Sequence, residues 1–336
     1  MKKFVGKTIL ILFFIGLFSY LFFSDDGLFI FLSTTTKINI PWLLLAFICQ
    51  IINLSIDAYL THKLLKNIES KVTVKSSILC SLVGQFFSAI TPSATGGQPM
   101  QVYTLSKRGI SGGTTTTALV QKFIVYQTSI VIYSITAMLI RIDYIYNLNT
   151  VVHYILFLGF AVQALIVVGL LIFSFNQKLT KKIIVFIFTI LGKIKLVKNY
   201  NDKIENIHHQ LEIFHNDNKE LYKNKHLLLE SYTFTLIQLT AMFLIPYCIY
   251  KSFYLKGGKI FDIISAQTFI TISSSFVPIP GGSGAAEGAS SIFLTPFFNE
   301  KTIKSAIALT RIVNYYFTIL ITAPFAYSMK KKAKYK

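Results

Sequence analysis

Acidic side chains are scarce: the chain has 14 Asp and Glu against 33 Lys and Arg in 336 residues. So few carboxylates argue against a metal-dependent transferase, which needs clustered acidic ligands. Asp25 and Asp26 in FSDDG are the only adjacent pair, and two solvated carboxylates in a short loop are its ordinary reading. Cysteine is scarcer. Cys49, Cys80 and Cys248 lie singly in apolar stretches without CxxC spacing, which excludes a disulfide or thiolate-metal framework. No GxxxxGK[ST] motif occurs, so P-loop nucleotide chemistry is absent. Charge of both signs reaches only 14%, against about 25% in soluble domains. A soluble fold cannot hide the apolar surface that remains.

What the chain has is apolar length. Hydrophobic residues make up 53% and the mean hydropathy is +0.58. Runs at 4–23, 40–60, 115–140, 154–175, 227–250 and 303–328 approach or reach the roughly 20 residues that cross a bilayer core of about 30 Å. Two shorter runs, 76–90 and 263–277, each end in a Pro/Gly segment. About 15 helical residues rise only about 22 Å, so each reads as one leg of a re-entrant hairpin. The net charge of +19 does not indicate nucleic acid, because the lysines gather between apolar runs rather than on one face. The first run follows MKKFVGK and lacks a small-x-small cleavage site, so an uncleaved span is expected.

The two broken segments match. FFSAITPSATGGQPMQVY and SSFVPIPGGSGAAEG each join a short apolar leg to a Gly-Gly pair, Gly96 and Gly97 in the first, Gly281 and Gly282 in the second. The span after each carries a cation beside tyrosine: Lys122 with Tyr126, and Arg311 with Tyr315 and Tyr316. Placing most Lys and Arg on one side puts both termini in the cytoplasm and makes the hairpins enter from opposite faces. Lys251, Lys256, Lys259, Lys301 and Lys304 fall against that rule. Inverted repeats with interrupted helices are the recurring build of secondary transporters, with the site between the repeats.

The expected architecture is an all-α polytopic membrane protein with about six full spans and two oppositely oriented re-entrant hairpins in an inverted repeat. Residues 1–175 hold the first repeat, with a hairpin at 76–105. Residues 176–226 form a cytoplasmic connector, and 227–336 hold the second repeat, with a hairpin at 263–298. In the connector Ile204, Ile207, Leu211, Phe214 and Leu221 recur at helical spacing, predicting an amphipathic helix on the inner membrane surface. His208, His209, His215 and His226 read as solvated side chains rather than metal ligands.

Four ionisable groups fall in apolar surroundings, where each costs about 2.5–3.5 kcal/mol on insertion scales. Asp57 and Lys122 each have a second way out, by reaching the interface or snorkelling to it. Arg311 suits bidentate capture of phosphate, or an ion pair with Glu287. Glu287 can cap a helix, neutralise Arg311 or carry a proton. Gln98, with Gln50, Asn53, Gln85, Gln101, Gln121, Gln163, Gln238, Gln267 and Asn314, adds a polar lining able to hydrate a headgroup path.

TPSATGGQPMQVYTLSKRG and PIPGGSGAAEG closely resemble the two signature hairpins of the lysylphosphatidylglycerol synthetase transmembrane, or flippase-like domain, family. That family includes the membrane half of the bacterial multiple peptide resistance factor. The resemblance covers nearly the whole chain and implies a stand-alone flippase-like protein of a bacterial-type cell membrane. The chain stops soon after its last span, so the aminoacyl-tRNA-dependent synthase domain is expected to be missing and the lipid's identity is not inherited. The expected function is translocation of an anionic, aminoacylated or glycosylated phospholipid between leaflets, without catalysis, cofactor or metal. Arg311, Lys122 and the Gly-Gly turns would hold the headgroup, with the tyrosines stacking on it. A separate lipid synthase and a homodimer are the possible partners. The alternatives are a lipid-linked transferase and a non-transporting partner of a separate synthase.

Overall fold

A computed structural model describes residues 38–91, 94–146, 150–193, 200–274 and 285–329. The expected first span at 4–23, Asp25 and Asp26, and Gly281 and Gly282 lie outside these residues. Among the described residues five helices are long and apolar enough to cross a membrane. They are α1 (Ile40–Ile68), α4 (Gly112–Ile140), α5 (Thr150–Phe175), α8 (Lys225–Ser252), and a last span of α11 (Glu300–Arg311), a π-helical turn (Ile312–Tyr316) and α12 (Phe317–Ser328). The shorter apolar helices are α2 (Val74–Ile90) and α9 (Ile260–Ser274). Each packs against the short helix that follows it, α3 (Gly97–Ser106) and α10 (Ala285–Phe293) respectively. The protein is an all-α polytopic membrane protein.

Polar caps start the helices. Thr73 and Ser76 form a capping box on α2, while Ser111, Asn224 and Asn299 accept the Thr114, Leu227 and Thr302 backbone N–H at 3.0 Å. Pro246 and Pro324 lie inside helices of the bundle, which tolerates them where neighbours re-satisfy the freed backbone.

End-to-end contacts set the topology. At one end the Asn39 N–H donates to the Ser252 carbonyl (2.8 Å), and Arg141 pairs with Asp262 at 2.7 Å. At the other, Asn224 meets Asn67 (2.8 Å), and Asn218 meets the Ser174 carbonyl (3.0 Å). The second end carries Lys63, Lys66, Lys71, Lys75, Lys107 and Arg108 and is called the basic end. The α2–α3 hairpin follows α1 there, and the α9–α10 hairpin follows α8 at the opposite end. The hairpins therefore enter from opposite ends, as the lysine pattern predicts.

The span α5 buries little beyond Val152, Leu156, Gly159 and Gln163, one helical stripe, and leaves most of the rest exposed. Gly159 sits where α5 meets α9. A Cβ there would collide with the Ile272 carbonyl oxygen and lie 2.8 Å from its carbon and 3.2 Å from the Ser273 Cα.

The connector differs from expectation. It holds two helices, α6 (Gln177–Lys193) and α7 (Tyr200–Lys223). In α6 the exposed Leu179, Ile183 and Phe186 alternate with Lys178, Lys181 and Lys182, the pattern of an interfacial helix. The expected amphipathic helix is α7, but it packs on α4 instead of lying free on the surface. Gln210 accepts the Gly113 N–H at 2.6 Å, and the Thr117 hydroxyl reaches the Phe214 carbonyl at 3.2 Å. Its apolar stripe finds protein before lipid.

His215 is consequently buried at 4% exposure, not solvated, because it lies on the side of α7 that meets the bundle. Burial pushes its pKa below the usual 6.5, aided by Lys219 and opposed by the Ser174 backbone. A depressed imidazole pKa leaves the ring neutral in both folded and unfolded states above about 6.5. Its contribution to stability is complete there and is lost as pH falls below that value. Asp217, pushed up by burial, acts in the opposite sense lower on the scale, where its protonation favours the folded state. The melting temperature in detergent is thus expected to fall as pH drops from 7 to 5.5, and His215→Gln should flatten that fall. An unchanged slope in the variant would contradict the burial of this ring.

Candidate functional site

The α2–α3 hairpin builds one wall. Its legs approach closely because Gly97 has no side chain: a Cβ there would strike the Ser88 hydroxyl and lie 2.8 Å from the Gly84 carbonyl oxygen. Thr91 organises the turn, accepting the Gly96 N–H at 2.9 Å and donating to the Phe87 carbonyl at 2.6 Å. Ala94 adopts φ 55°, the left-handed region that a non-glycine residue rarely enters. Strain of this kind gathers at functional turns. Ala94, Thr95, Gln98 and Pro99 then face a cavity of about 850 Å³.

The cavity lies between this hairpin and α1, α4, α8 and the last span. Among the described residues its charged lining is Asp57 and Lys122, side chains only 11% and 16% exposed, paired at 3.0 Å. Lys122 also donates to the Thr61 hydroxyl at 2.8 Å, and the Ser81 hydroxyl donates to the second Asp57 oxygen. Asp57 and Lys122 turn to each other and to Thr61 and Ser81 inside the bundle. Packing of α1 against α4 offers each a nearer partner than water.

Along the same face of α1 as Asp57 runs a chain of carboxamides. Gln238 on α8 donates to Asn53 at 2.9 Å, Asn53 to Gln50 at 3.2 Å, and Gln50 to the Thr318 hydroxyl at 2.7 Å. Gln50 also reaches the Asn314 carbonyl at 3.4 Å. That carbonyl belongs to the π-helical turn, an insertion that recurs at functional sites. The Tyr315 hydroxyl, in the same turn, donates to the Ala89 carbonyl at 3.1 Å and fixes the last span to the hairpin leg. Phe123 and Tyr126 add aromatic surface to the wall.

The expected site residues therefore divide. Asp57, Lys122, Gln98 and Tyr126 line the cavity, and Gly96 and Gly97 form the turn behind it. Arg311, Glu287 and Tyr315 form a second cluster off the cavity wall: Arg311 contacts Glu287 directly and stands 5.6 Å from the Tyr315 ring centre. This cluster ties α10 to the last span. Of the expected polar lining, Gln121, Gln163 and Gln267 are buried elsewhere. Sequence reasoning missed Thr61, Ser81, Phe123 and Thr318. Thr61 had a signal, since it lies four residues after Asp57 on one helix face; the others had none. Among the described residues no group of His, Cys, Asp and Glu is arranged to hold a metal ion.

Chemically, the cavity offers amides, hydroxyls and two aromatic faces around a self-neutralised ion pair. The model of the lysylphosphatidylglycerol synthase TM region matches residues 7–322. A UPF0104 membrane protein of Archaeoglobus fulgidus is 26% identical over 305 residues, covering 84% of this chain and 85% of that protein. With the match spanning nearly every residue, hairpins and cavity included, this chain belongs to the lysylphosphatidylglycerol synthase TM-region family.

Proposed function

We propose that the protein translocates a lipid between leaflets, the headgroup passing through the polar cavity while the acyl chains stay in the bilayer. The observation that carries this reading is the cavity itself. Polar side chains in a span are costly, yet Gln50, Asn53 and Asp57 stand together in the middle of α1 and face one space. Irregular backbone inside a membrane is tolerated where it lines a cavity, and Ala94, at φ 55°, and Thr95 face this one. Oppositely entering hairpins supply two halves that can rock against each other. The basic end faces the cytoplasm of a cell membrane, following the excess of Lys and Arg. In this scheme the Arg311–Glu287 pair is a tie between α10 and the last span, opened or kept as the halves move. The protein acts without chemistry on the lipid.

The test is reconstitution of the full chain into liposomes carrying acyl-labelled lipid, with dithionite reporting the outward-facing fraction. Translocation is expected to exceed that of protein-free liposomes. Gln98→Trp, which fills the cavity from its exposed lip, should abolish it, and Leu165→Trp on the lipid-facing side of α5 should not. Equal activity in both variants would reject the cavity as the path.

A further inference from the structure

We infer that the headgroup this cavity takes is an uncharged polyhydroxylated one, of the glycosyl or polyol class, rather than an anionic phosphate or carboxylate. The inference rests on the translocation reading and deepens it.

The first argument is charge. Among the described residues the cavity has one cation and one anion on its wall, and both are already engaged. Lys122 gives hydrogens to Asp57 and Thr61, and Asp57 accepts from Lys122 and Ser81. An anion binding Lys122 would compete with Asp57 and leave a buried carboxylate poorly compensated, which low-dielectric surroundings penalise. An ammonium headgroup meets the mirror problem, since Asp57 is held by Lys122. Arg311, the natural phosphate ligand by type, contacts Glu287 and does not line the cavity. The site is net neutral, and selects against net charge.

The second argument is the amides. A carboxamide both donates and accepts, which a hydroxyl group needs and a phosphate does not. The wall formed by Gln238, Asn53 and Gln50 is a relay of amides bonded to one another and on to Thr318. Gln85 and Gln98, one on each leg of the hairpin, have no hydrogen-bond partner among the described residues and face the same space. Together with Gln101 and the Asn314 Oδ1 on the same wall, the latter likewise without a partner among the described residues, they are groups left to address a ligand. Phe123 and Tyr126 present apolar ring surface for the C–H face of a sugar. A volume of about 850 Å³ falls inside the roughly 300–1,000 Å³ of small-molecule sites.

The test uses the full chain with three acyl-labelled lipids: glucosyldiacylglycerol, phosphatidylethanolamine and phosphatidylglycerol. Each is measured for translocation in liposomes and for thermal stabilisation of the protein in detergent. Glucosyldiacylglycerol is expected to be favoured over phosphatidylglycerol by about tenfold in both readouts. Gln85→Leu and Gln98→Leu should each erase the preference. Asp57→Asn, which frees Lys122 as a net cation, should raise phosphatidylglycerol binding instead. Equal or greater preference of the wild type for phosphatidylglycerol or phosphatidylethanolamine overturns the inference while leaving translocation standing. Selective binding of the glycolipid without movement of any lipid supports the inference and rejects translocation. Neither binding preference nor movement overturns both.

Discussion

Lys122→Met is expected to cost about 3–5 kcal/mol of stability, the penalty for stranding one member of a buried ion pair. The pair stands at 3.0 Å with both side chains largely out of solvent, so Asp57 without Lys122 loses its counter-charge where little water reaches it. Ser81 still donates to it in the variant, but one hydroxyl does not replace an ammonium. The loss belongs to the stranded charge, not to the pair as such. Lys122→Met combined with Asp57→Asn should therefore recover most of the stability, because the amide still accepts from Ser81 and carries no charge. Thermal unfolding of the four proteins in one detergent separates the two contributions by a double-mutant cycle. A single variant as stable as the wild type would show that the pair is hydrated and the cavity open to bulk water at this depth. Translocation is expected to fall in the single variant and to stay low in the double, since refolding the wall does not restore its shape.

Gly159→Ala should also be destabilising, though less so, for a reason of pure geometry. The added methyl meets the backbone of Ile272 and Ser273, and backbone cannot rotate away as a side chain does. Helix α5 must move off α9, at a cost of about 1–3 kcal/mol typical of overpacking. Gly169 on the same helix is the control, because a Cβ there meets nothing within 4 Å. Gly169→Ala is expected to be neutral or slightly stabilising, by up to about 1 kcal/mol through helix propensity. Similar melting temperatures for the two variants would contradict the close α5–α9 contact that holds the second hairpin.

Much of the fold was legible because crossing a membrane leaves a crude signature. Apolar runs near 20 residues marked α1, α4, α5, α8 and the last span, and runs near 15 marked α2 and α9. Ends were less clear: α1 continues to Ile68, beyond the apolar run, since a helix propagates into water once nucleated. The Arg311–Glu287 contact follows from scarcity, each being the other's simplest partner in a region poor in charge. Asp57 and Lys122 are 65 residues apart, and each had a local escape, so only the packing of α1 on α4 could join them. The π-helical turn after Arg311 left no compositional trace, and neither did the docking of α7 on α4. An amphipathic stripe states that it will be covered and does not say by what. His215 was misread for that reason.

The central claim is that a lipid headgroup occupies the cavity between the first hairpin and α1, α4, α8 and the last span. Photo-crosslinking tests it most directly, using a lipid with a diazirine in its headgroup, the reconstituted full chain, and peptide mapping of the adducts. The account predicts adducts on Gln85, Gln98 and Tyr126, competed away by unlabelled lipid and lost in Gln98→Trp. Adducts confined to the lipid-facing residues of α5, such as Phe157 and Leu165, would contradict it.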